Sequence, residues 1–102
     1  MKVFNSNLAG VVCGVENNKD LFIRRTVFSR GYFETDFHKH PNSFEYYYVE
    51  SGKLKFQSER ETIEGYKGSL VYFEQKELHK IIEVSEDTSM LLIKKLGSIK
   101  GN

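Results

Sequence analysis

The amino-acid sequence predicts a single all-β domain of the sandwich or barrel type. Eight Phe and six Tyr occur among only 102 residues, and aromatic side chains pack well on the pleated surface of strands. Apolar and polar residues alternate in about nine short runs, at a spacing of roughly 8–12 residues. No run shows the 3.6-residue spacing of an amphipathic helix. A chain of this length is also shorter than the roughly 150 residues typical of one domain.

The predicted strands follow one another along the chain, and each ends at residues that favour a turn. They span residues 9–16, 21–28, 32–40, 44–49, 54–58, 62–63, 70–73, 78–84 and 90–95. Between the first five lie Asn-Asn-Lys-Asp, Ser-Arg-Gly, Pro-Asn-Ser and Ser-Gly, which are residue types common in turns. After the last strand, residues 96–102 contain two glycines, and we expect a frayed tail there.

Composition and charge exclude several classes of partner. Fifteen basic and fourteen acidic residues leave a net charge of +1, too little to attract phosphate backbones or anionic lipid. No apolar run approaches the roughly 20 residues of a spanning helix, and residues 1–10 lack the apolar core of a signal peptide. The single cysteine, Cys13, excludes an intramolecular disulfide. We therefore expect a cytoplasmic protein that binds a small molecule, and neither nucleic acid nor membrane.

The histidines of the chain suggest a metal site. His38 and His40 are two residues apart, so on a strand both imidazoles point to the same face. Glu45 follows the next turn, and His79 begins a later strand. Imidazole and carboxylate ligands suit Fe, Mn, Ni, Zn, Co or Cu, whereas Ca²⁺ and Mg²⁺ prefer oxygen ligands alone. The residue types also allow solvated or structurally hydrogen-bonded histidines, so both interpretations stay open at this point.

Residues 31–52, GYFETDFHKHPNSFEYYYVESG, resemble the first conserved motif of the cupin family. That motif consists of a glycine, a spacer, His-x-His, a short loop, a glutamate, six residues and a second glycine. The chain matches it with Gly31, His38, His40, Glu45 and Gly52. The match includes every position of the motif that bears a metal ligand.

Residues 68–83 resemble the second cupin motif less completely. Gly68 and His79 stand at the expected spacing, but Glu74 replaces the usual proline and Lys76 the usual glycine of the intervening turn. The resemblance implies that the whole chain, 1–102, is one double-stranded β-helix, also called a jelly-roll barrel. It also implies that His38, His40, Glu45 and His79 bind one divalent transition-metal ion.

Alternation along the strand that contains Glu45 places Tyr47 and Val49 on its inner face. Tyr47 is therefore a candidate catalytic residue beside the metal, although a core tyrosine with a structural hydroxyl fits equally well. Asp36 shares the face of His38 if no bulge intervenes, and it is the second candidate, as a base or as a partner that orients a histidine.

The outer face of the same strand carries Phe44, Tyr46 and Tyr48, which need cover. The resemblance implies a homodimer packed through this ridge, and the alternative is that residues 1–30 cover it within one chain. Farther on, Lys94, Lys95 and Lys100 are expected to form a solvated, weakly basic end.

Two functions are compatible with these features. The first is a metal-dependent enzyme, such as a dioxygenase, isomerase or lyase, that acts on a small oxygen-rich metabolite such as a sugar, hydroxy acid or enol. The second is a non-catalytic binding or sensor barrel for such a molecule, with or without metal. One fold and one ligand set can serve many reactions, so the sequence leaves both open.

Overall fold

The computed structural model of the chain describes residue 6 and residues 8–14, 21–39 and 43–96. In these ranges the secondary structure consists of β-strands, which confirms the all-β prediction. The strands are β1 (Gly10–Cys13), β2 (Phe22–Val27), β3 (Ser43–Ser51), β4 (Lys53–Ser58), β5 (Thr62–Tyr66), β6 (Leu70–Phe73), β7 (His79–Val84) and β8 (Ser89–Leu96). Over the same ranges we find no helix that is long and apolar enough to cross a membrane. Beyond Leu96, the predicted tail lies outside the described residues.

The strands form two antiparallel sheets. The larger sheet has the order β1-β2-β8-β3-β6, and the smaller one has the order β5-β4-β7. β3 pairs with β8 on one side and with β6 on the other, so it lies inside the larger sheet. Each sheet turns one face toward the other, as in a jelly roll.

The hydrophobic core lies between the inner faces of the two sheets. Val49 from β3 and Leu54 and Phe56 from β4 are completely buried, each with 0% exposure. Full burial of such a side chain contributes about 1.5–3 kcal/mol to folding. On β3, Tyr47 and Val49 are buried while Tyr46 and Tyr48 are exposed, which confirms the alternation predicted from the sequence.

One predicted strand is wrong. Residues 32–39 form no strand and contain a single bridge, in which His38 pairs with His79. The backbone N–H of His38 donates to the carbonyl of His79 at 3.0 Å, and that of Glu34 donates to the carbonyl of Ile81 at 2.8 Å. The segment therefore advances four positions, from Glu34 to His38, where β7 advances only two, from Ile81 to His79. The chain bends at residues 35–36 to accommodate the two extra positions. The bend interrupts the alternation of faces on which the prediction for Asp36 depended.

A glycine makes the turn between β3 and β4. Gly52 has a φ of +74°, a backbone conformation that residues other than glycine adopt only at an energetic cost. A Cβ at this position would also collide with the side chain of Thr88. The glycine that ends the first motif therefore has a structural role, because it lets β4 begin directly after β3.

Candidate functional site

Three of the four predicted metal ligands lie among the described residues, at one end of the barrel. His38 and His79 are joined by two backbone hydrogen bonds of 2.9 and 3.0 Å, and their ring centroids are 4.4 Å apart. Glu45 extends from the inner face of β3, and its Oε1 lies 3.8 Å from Nε2 of His79. His40, the fourth predicted ligand, lies outside the described residues, and the assignment of all four residues as ligands stays a prediction.

The ring of His79 is fixed from two sides. Its Nδ1 donates a hydrogen bond to the backbone carbonyl of Glu77 at 2.8 Å, which leaves Nε2 as the atom with a lone pair. The ring also stacks on Phe73, with 4.0 Å between centroids and an angle of 11°. Burial lowers the pKa of His79, although the carbonyl of Glu77 acts in the opposite direction, so the neutral ring is favoured near neutral pH.

The incomplete second motif still forms its turn. Lys76, which stands where the family has glycine, adopts a φ of +69°. A lysine in this region costs roughly 1–2 kcal/mol, but the backbone follows the path that a glycine would take. His79 is 2% exposed, so the turn directs its ring inward despite the two substitutions.

Glu34 is a site residue that the sequence analysis did not assign. Its Oε1 accepts a hydrogen bond from the backbone N–H of Ile81 at 2.8 Å and lies 3.2 Å from Nε2 of His38. Its Oε2 accepts from the hydroxyl of Tyr32 at 2.7 Å. Alternation puts Glu34 on the face of His38 together with Asp36 if no bulge intervenes, but no motif singled Glu34 out as a candidate.

These contacts set the charges of the pair. Burial raises the pKa of Glu34, but the hydrogen bonds from His38, Ile81 and Tyr32 outweigh it and lower the pKa to about 2. The hydrogen bond to Glu34 in turn raises the pKa of His38 above its usual 6.5. Glu34 is therefore ionised at neutral pH, and its carboxylate stabilises the protonated form of His38.

Tyr47 lies next to two of the candidate ligands. Its hydroxyl is 3.3 Å from Oε1 of Glu45 and 3.4 Å from Nε2 of His79. Burial, together with the charges of Glu45 and Glu34, raises the pKa of Tyr47 well above its usual 10. The hydroxyl therefore keeps its proton at neutral pH and acts as a hydrogen-bond donor.

Asp36, the other candidate catalytic residue, is differently placed. It is exposed at the bend and is not among the residues that line the cavity beside the histidines. Its proposed role as a base or orienting group stays a prediction, whereas Glu34 contacts His38 directly.

The described donors fit part of a metal site. No group of three or more His, Cys, Asp and Glu side chains that could hold an ion is found in the described part of the chain. However, the Nε2 lone pair of His79 faces a carboxylate oxygen of Glu45 across 3.8 Å. An imidazole nitrogen and a carboxylate oxygen that face each other in this way fit a divalent cation. The remaining predicted ligand, His40, lies outside the described residues.

A cavity of about 260 Å³ lies beside this cluster. Glu34, His38, Glu45 and Tyr47 contribute to one part of its wall, and Ile81, Met90 and Leu92 contribute apolar surface. His79 is not itself a lining residue, although it lies close to two residues that are.

Two cationic residues also line the cavity, and the sequence analysis missed both. Arg24 extends from β2 and Lys94 from β8. Lys94 is only 6% exposed, so the prediction that it belongs to a solvated basic end is wrong. Its place on β8 opposite Glu45 turns it inward, whereas the neighbouring Lys95 is exposed. Met90, Leu92 and Lys94 occupy alternate positions of β8. Alternation along this strand could therefore have placed Lys94 on the same inner face as the two apolar residues.

Comparison with solved structures shows the same fold in several proteins. The chain superposes on KdgF from Halomonas sp. with a TM-score of 0.71 and 18% identity, over 95% of this chain and 90% of that one. A cupin 2 conserved barrel domain protein from Salinispora arenicola gives a TM-score of 0.70 at 12% identity, over 93% and 88% of the two chains. An uncharacterised protein with a double-stranded β-helix domain from Klebsiella pneumoniae gives 0.71 at 16%, over 96% and 86%. At these identities the likeness concerns the fold alone.

Comparison at the level of sequence identifies the family. No curated protein sequence matches the chain. The family model described as the cupin domain, in contrast, matches residues 25–94, which is more than half of the chain and includes both motifs. The chain therefore belongs to the cupin domain family.

Proposed function

We propose that the chain binds one divalent transition-metal ion through His38, His40, Glu45 and His79. The adjoining cavity would then bind or transform a small oxygen-rich metabolite, such as a sugar, hydroxy acid or enol. The observation that carries the proposal is the buried pair of facing acceptors, Nε2 of His79 and Oε1 of Glu45, 3.8 Å apart. Each residue is 2% exposed, and facing buried acceptors are stabilised when a cation lies between them.

The chemistry of the ligands narrows the choice of metal to Fe, Mn, Ni, Zn, Co or Cu. When bound, such an ion supplies Lewis acidity that polarises an oxygen atom of the metabolite. The hydrogen bond from Nδ1 of His79 to Glu77 holds the imidazole in the orientation that a ligand requires. The hydroxyl of Tyr47, which keeps its proton, would donate a hydrogen bond to an oxygen of the metabolite.

The alternative is a non-catalytic binding or sensor barrel, and the state of the cavity residues favours it. Tyr47 holds its proton, and the carboxylate of Glu34 already accepts three hydrogen bonds. Asp36 is exposed. Turnover of a broad panel of oxygenated metabolites by protein loaded with Fe, Mn, Ni or Zn distinguishes the two. Turnover supports the enzyme, and binding without turnover supports the sensor.

We also propose that the chain forms a homodimer through an outer aromatic face, defined by Phe44, Tyr46, Tyr48, Leu70 and Tyr72. Each of these side chains is at least 36% exposed. Tyr46 lies opposite Tyr72 across β3 and β6, and Tyr48 lies opposite Leu70, so the side chains are contiguous. A second copy, related by a two-fold axis, would cover the face with an identical one.

The metal content of the purified protein tests the main proposal. Wild type should hold about one ion per chain after removal of metal by a chelator and reloading, whereas His38→Ala and His79→Ala should each bind at least about tenfold more weakly. Glu83→Ala is the matched control, because Glu83 is an exposed residue on β7. Retention of as much metal in both histidine variants as in wild type would show that the ligand assignment is wrong.

A further inference from the structure

The cavity beside the histidines changes in polarity along the strands that form its wall. The β3–β8 ladder places Glu45 opposite Lys94 and Tyr47 opposite Leu92. Met90 lies two residues farther along β8 and on the same face. At about 3.3 Å per residue, Leu92 lies about 7 Å, and Met90 about 13 Å, beyond the level of Glu45. Position along the strands therefore separates the carboxylate of Glu45 from the apolar part of the wall.

The end of the cavity away from Glu45 is mainly apolar. The backbone N–H of Phe28, just after β2, donates to the carbonyl of Thr88 at 3.0 Å, which places Phe28 near Met90. Thr26 lies opposite Met90 in the β2–β8 ladder and adds a hydroxyl. On β7, Ile81 comes two residues after His79. We define the apolar end by its four apolar lining residues, Phe28, Ile81, Met90 and Leu92.

The apolar end borders open space. Protein interiors are close-packed, and spaces larger than one water are few. At roughly 30 Å³ for each water, the cavity of about 260 Å³ has the volume of about eight or nine waters. Tyr32, whose ring centroid is 5.2 Å from that of Phe28, also lines the cavity and is 37% exposed, so a ligand can enter beside this pair. Transfer of an apolar group from water to such a wall is favourable.

Arg24 and Lys94 also line the cavity, but both already interact with other groups of the protein. Lys94 lies opposite Glu45, a residue of opposite charge, in the β3–β8 ladder. Burial and the charges of Glu45 and Glu34 raise the pKa of Tyr47, whereas the charge of Arg24 lowers it, so Arg24 acts on the hydroxyl of Tyr47. Both cations therefore belong to the polar part of the cavity.

We propose that the cavity binds a metabolite with two unlike ends. A hydroxy ketone, enol or hydroxy acid group would face Glu45, Tyr47 and the histidines, and an apolar ring or short chain would pack against the apolar end. This inference rests on the function proposed above, and it narrows the oxygen-rich metabolite to one with an apolar part, in place of a sugar with a hydroxyl on every carbon. The separation of about 7 Å between the levels of Glu45 and Leu92 suits a carbonyl group that bears a six-membered ring.

Two hydroxamates test the inference, because they chelate a metal ion through the same pair of oxygens and differ in the apolar part. Acetohydroxamate carries a methyl group, and benzohydroxamate carries a phenyl ring. In isothermal titration of wild-type protein loaded with Mn²⁺ or Zn²⁺, benzohydroxamate should bind at least about tenfold more tightly, after correction for the affinity of each probe for the free ion. Tenfold is about 1.4 kcal/mol, which burial of roughly 55 Å² of apolar surface provides. Equal binding of the two probes, or no binding of benzohydroxamate, overturns the inference.

Substitutions at the apolar end change its size in opposite directions. Leu92→Phe fills the space with added carbon atoms, so it should reduce the preference for benzohydroxamate to less than about threefold while acetohydroxamate still binds. Phe28→Ala removes part of the wall and should weaken binding of benzohydroxamate at least about threefold. Phe33→Ala is the control, because Phe33 is 62% exposed and does not line the cavity, and it should change binding less than about twofold. An unchanged preference in both Leu92→Phe and Phe28→Ala overturns the inference.

The methyl group of Met90 reports on the apolar end without any measurement of activity. The chain contains two methionines, Met1 and Met90, so methionine labelled in its methyl group gives two signals in a nuclear magnetic resonance spectrum. Met90→Leu, which nearly conserves the volume, assigns them. Benzohydroxamate should shift the Met90 signal of wild type far more than acetohydroxamate does, because its ring lies beside this methyl group. A Met90 signal that does not move at saturating benzohydroxamate overturns the inference.

Metal content, measured on the same samples, separates this inference from the proposed function. Leu92→Phe and Phe28→Ala should retain the metal content of wild type, whereas His79→Ala should not. If wild type binds metal but binds the two hydroxamates equally, the inference fails and the metal proposal stands. If wild type binds no metal, the metal proposal fails, and cyclohexanol against glycerol tests the metal-free protein. A saturable shift of the Met90 signal with cyclohexanol alone then supports the apolar end as a binding site, and no shift overturns it.

Discussion

Each face of the larger sheet carries some side chains that are unusual for its environment. The inner face buries charged side chains, such as Glu45 and Lys94, which are 2% and 6% exposed. The outer face leaves Phe44, Tyr46 and Tyr48 at least 36% exposed. A buried charge and an exposed cluster of rings are both unfavourable for an isolated domain. The difference supports two proposals, that a metal ion completes the inner face and that a second copy of the chain covers the outer face.

The largest expected effect is on the free energy of unfolding, when the adjacent residues Phe73 and Tyr72 on β6 are each replaced by alanine. Phe73 is 3% exposed and stacks on the ring of His79, so Phe73→Ala should lower the free energy of unfolding by about 3–5 kcal/mol. Tyr72 is 45% exposed, and Tyr72→Ala should change it by less than about 1 kcal/mol. Urea unfolding of metal-free protein at low concentration measures both. Equal losses would contradict the distinction between the faces.

The second prediction concerns association through the outer aromatic face. Tyr46→Glu places a charge at its centre and should weaken dimerisation at least tenfold, or about 1.4 kcal/mol. Light scattering coupled to size exclusion, over a range of concentrations, measures the change. Tyr66→Glu is the control, because Tyr66 is 58% exposed on β5 of the smaller sheet. A wild-type protein that is monomeric at all concentrations would refute the dimer.

The third prediction concerns acid stability of the metal-free protein. The pKa of Glu34 is lowered from 4.5 to about 2, so its carboxylate stabilises the fold fully above pH 4.5 and loses this effect as the pH falls toward 2. Glu34→Gln should therefore be less stable than wild type at pH 5, and the difference should shrink toward pH 3. Thermal unfolding in the presence of a chelator measures it. A difference that does not change with pH would contradict the assignment of the low pKa.

The smallest expected effect on the free energy of unfolding comes from a substitution in the turn before His79. Because Lys76 has a φ of +69°, Lys76→Gly should raise the free energy of unfolding by up to about 1 kcal/mol. Lys67→Gly is the control, since Lys67 is an exposed turn residue without a positive φ, and it should give no gain. A loss of stability in Lys76→Gly would show that the turn is not strained.

The fold could be predicted to a large extent because it depends on local alternation. The pattern of β3 placed Tyr47 and Val49 inside and Tyr46 and Tyr48 outside, as observed. The strand at 32–40 could not be predicted correctly, because the excess residues at 35–36 become evident only once the pairing with β7 is known. Alternation holds within a ladder and fails where a bulge interrupts it.

Part of the candidate site could be predicted from the sequence. Spacing in the two motifs led to Glu45 and His79, which the structure brings within 3.8 Å of each other. Lys94 was assigned to a solvated end, because a lysine near a terminus is usually exposed. Arg24 passed unnoticed because no motif contains it. The ligation by His38, His40, Glu45 and His79, the metal, the homodimer and the cytoplasmic location stay predictions.

The most direct test of the central claim is a crystal structure of Co²⁺-loaded protein with anomalous data at the cobalt edge. The account predicts one strong anomalous peak per chain, at about 2.0–2.2 Å from Nε2 of His79 and from a carboxylate oxygen of Glu45. A crystal with no peak there, in which the hydroxyl of Tyr47 still lies within 3.5 Å of both atoms as it does here, would contradict it.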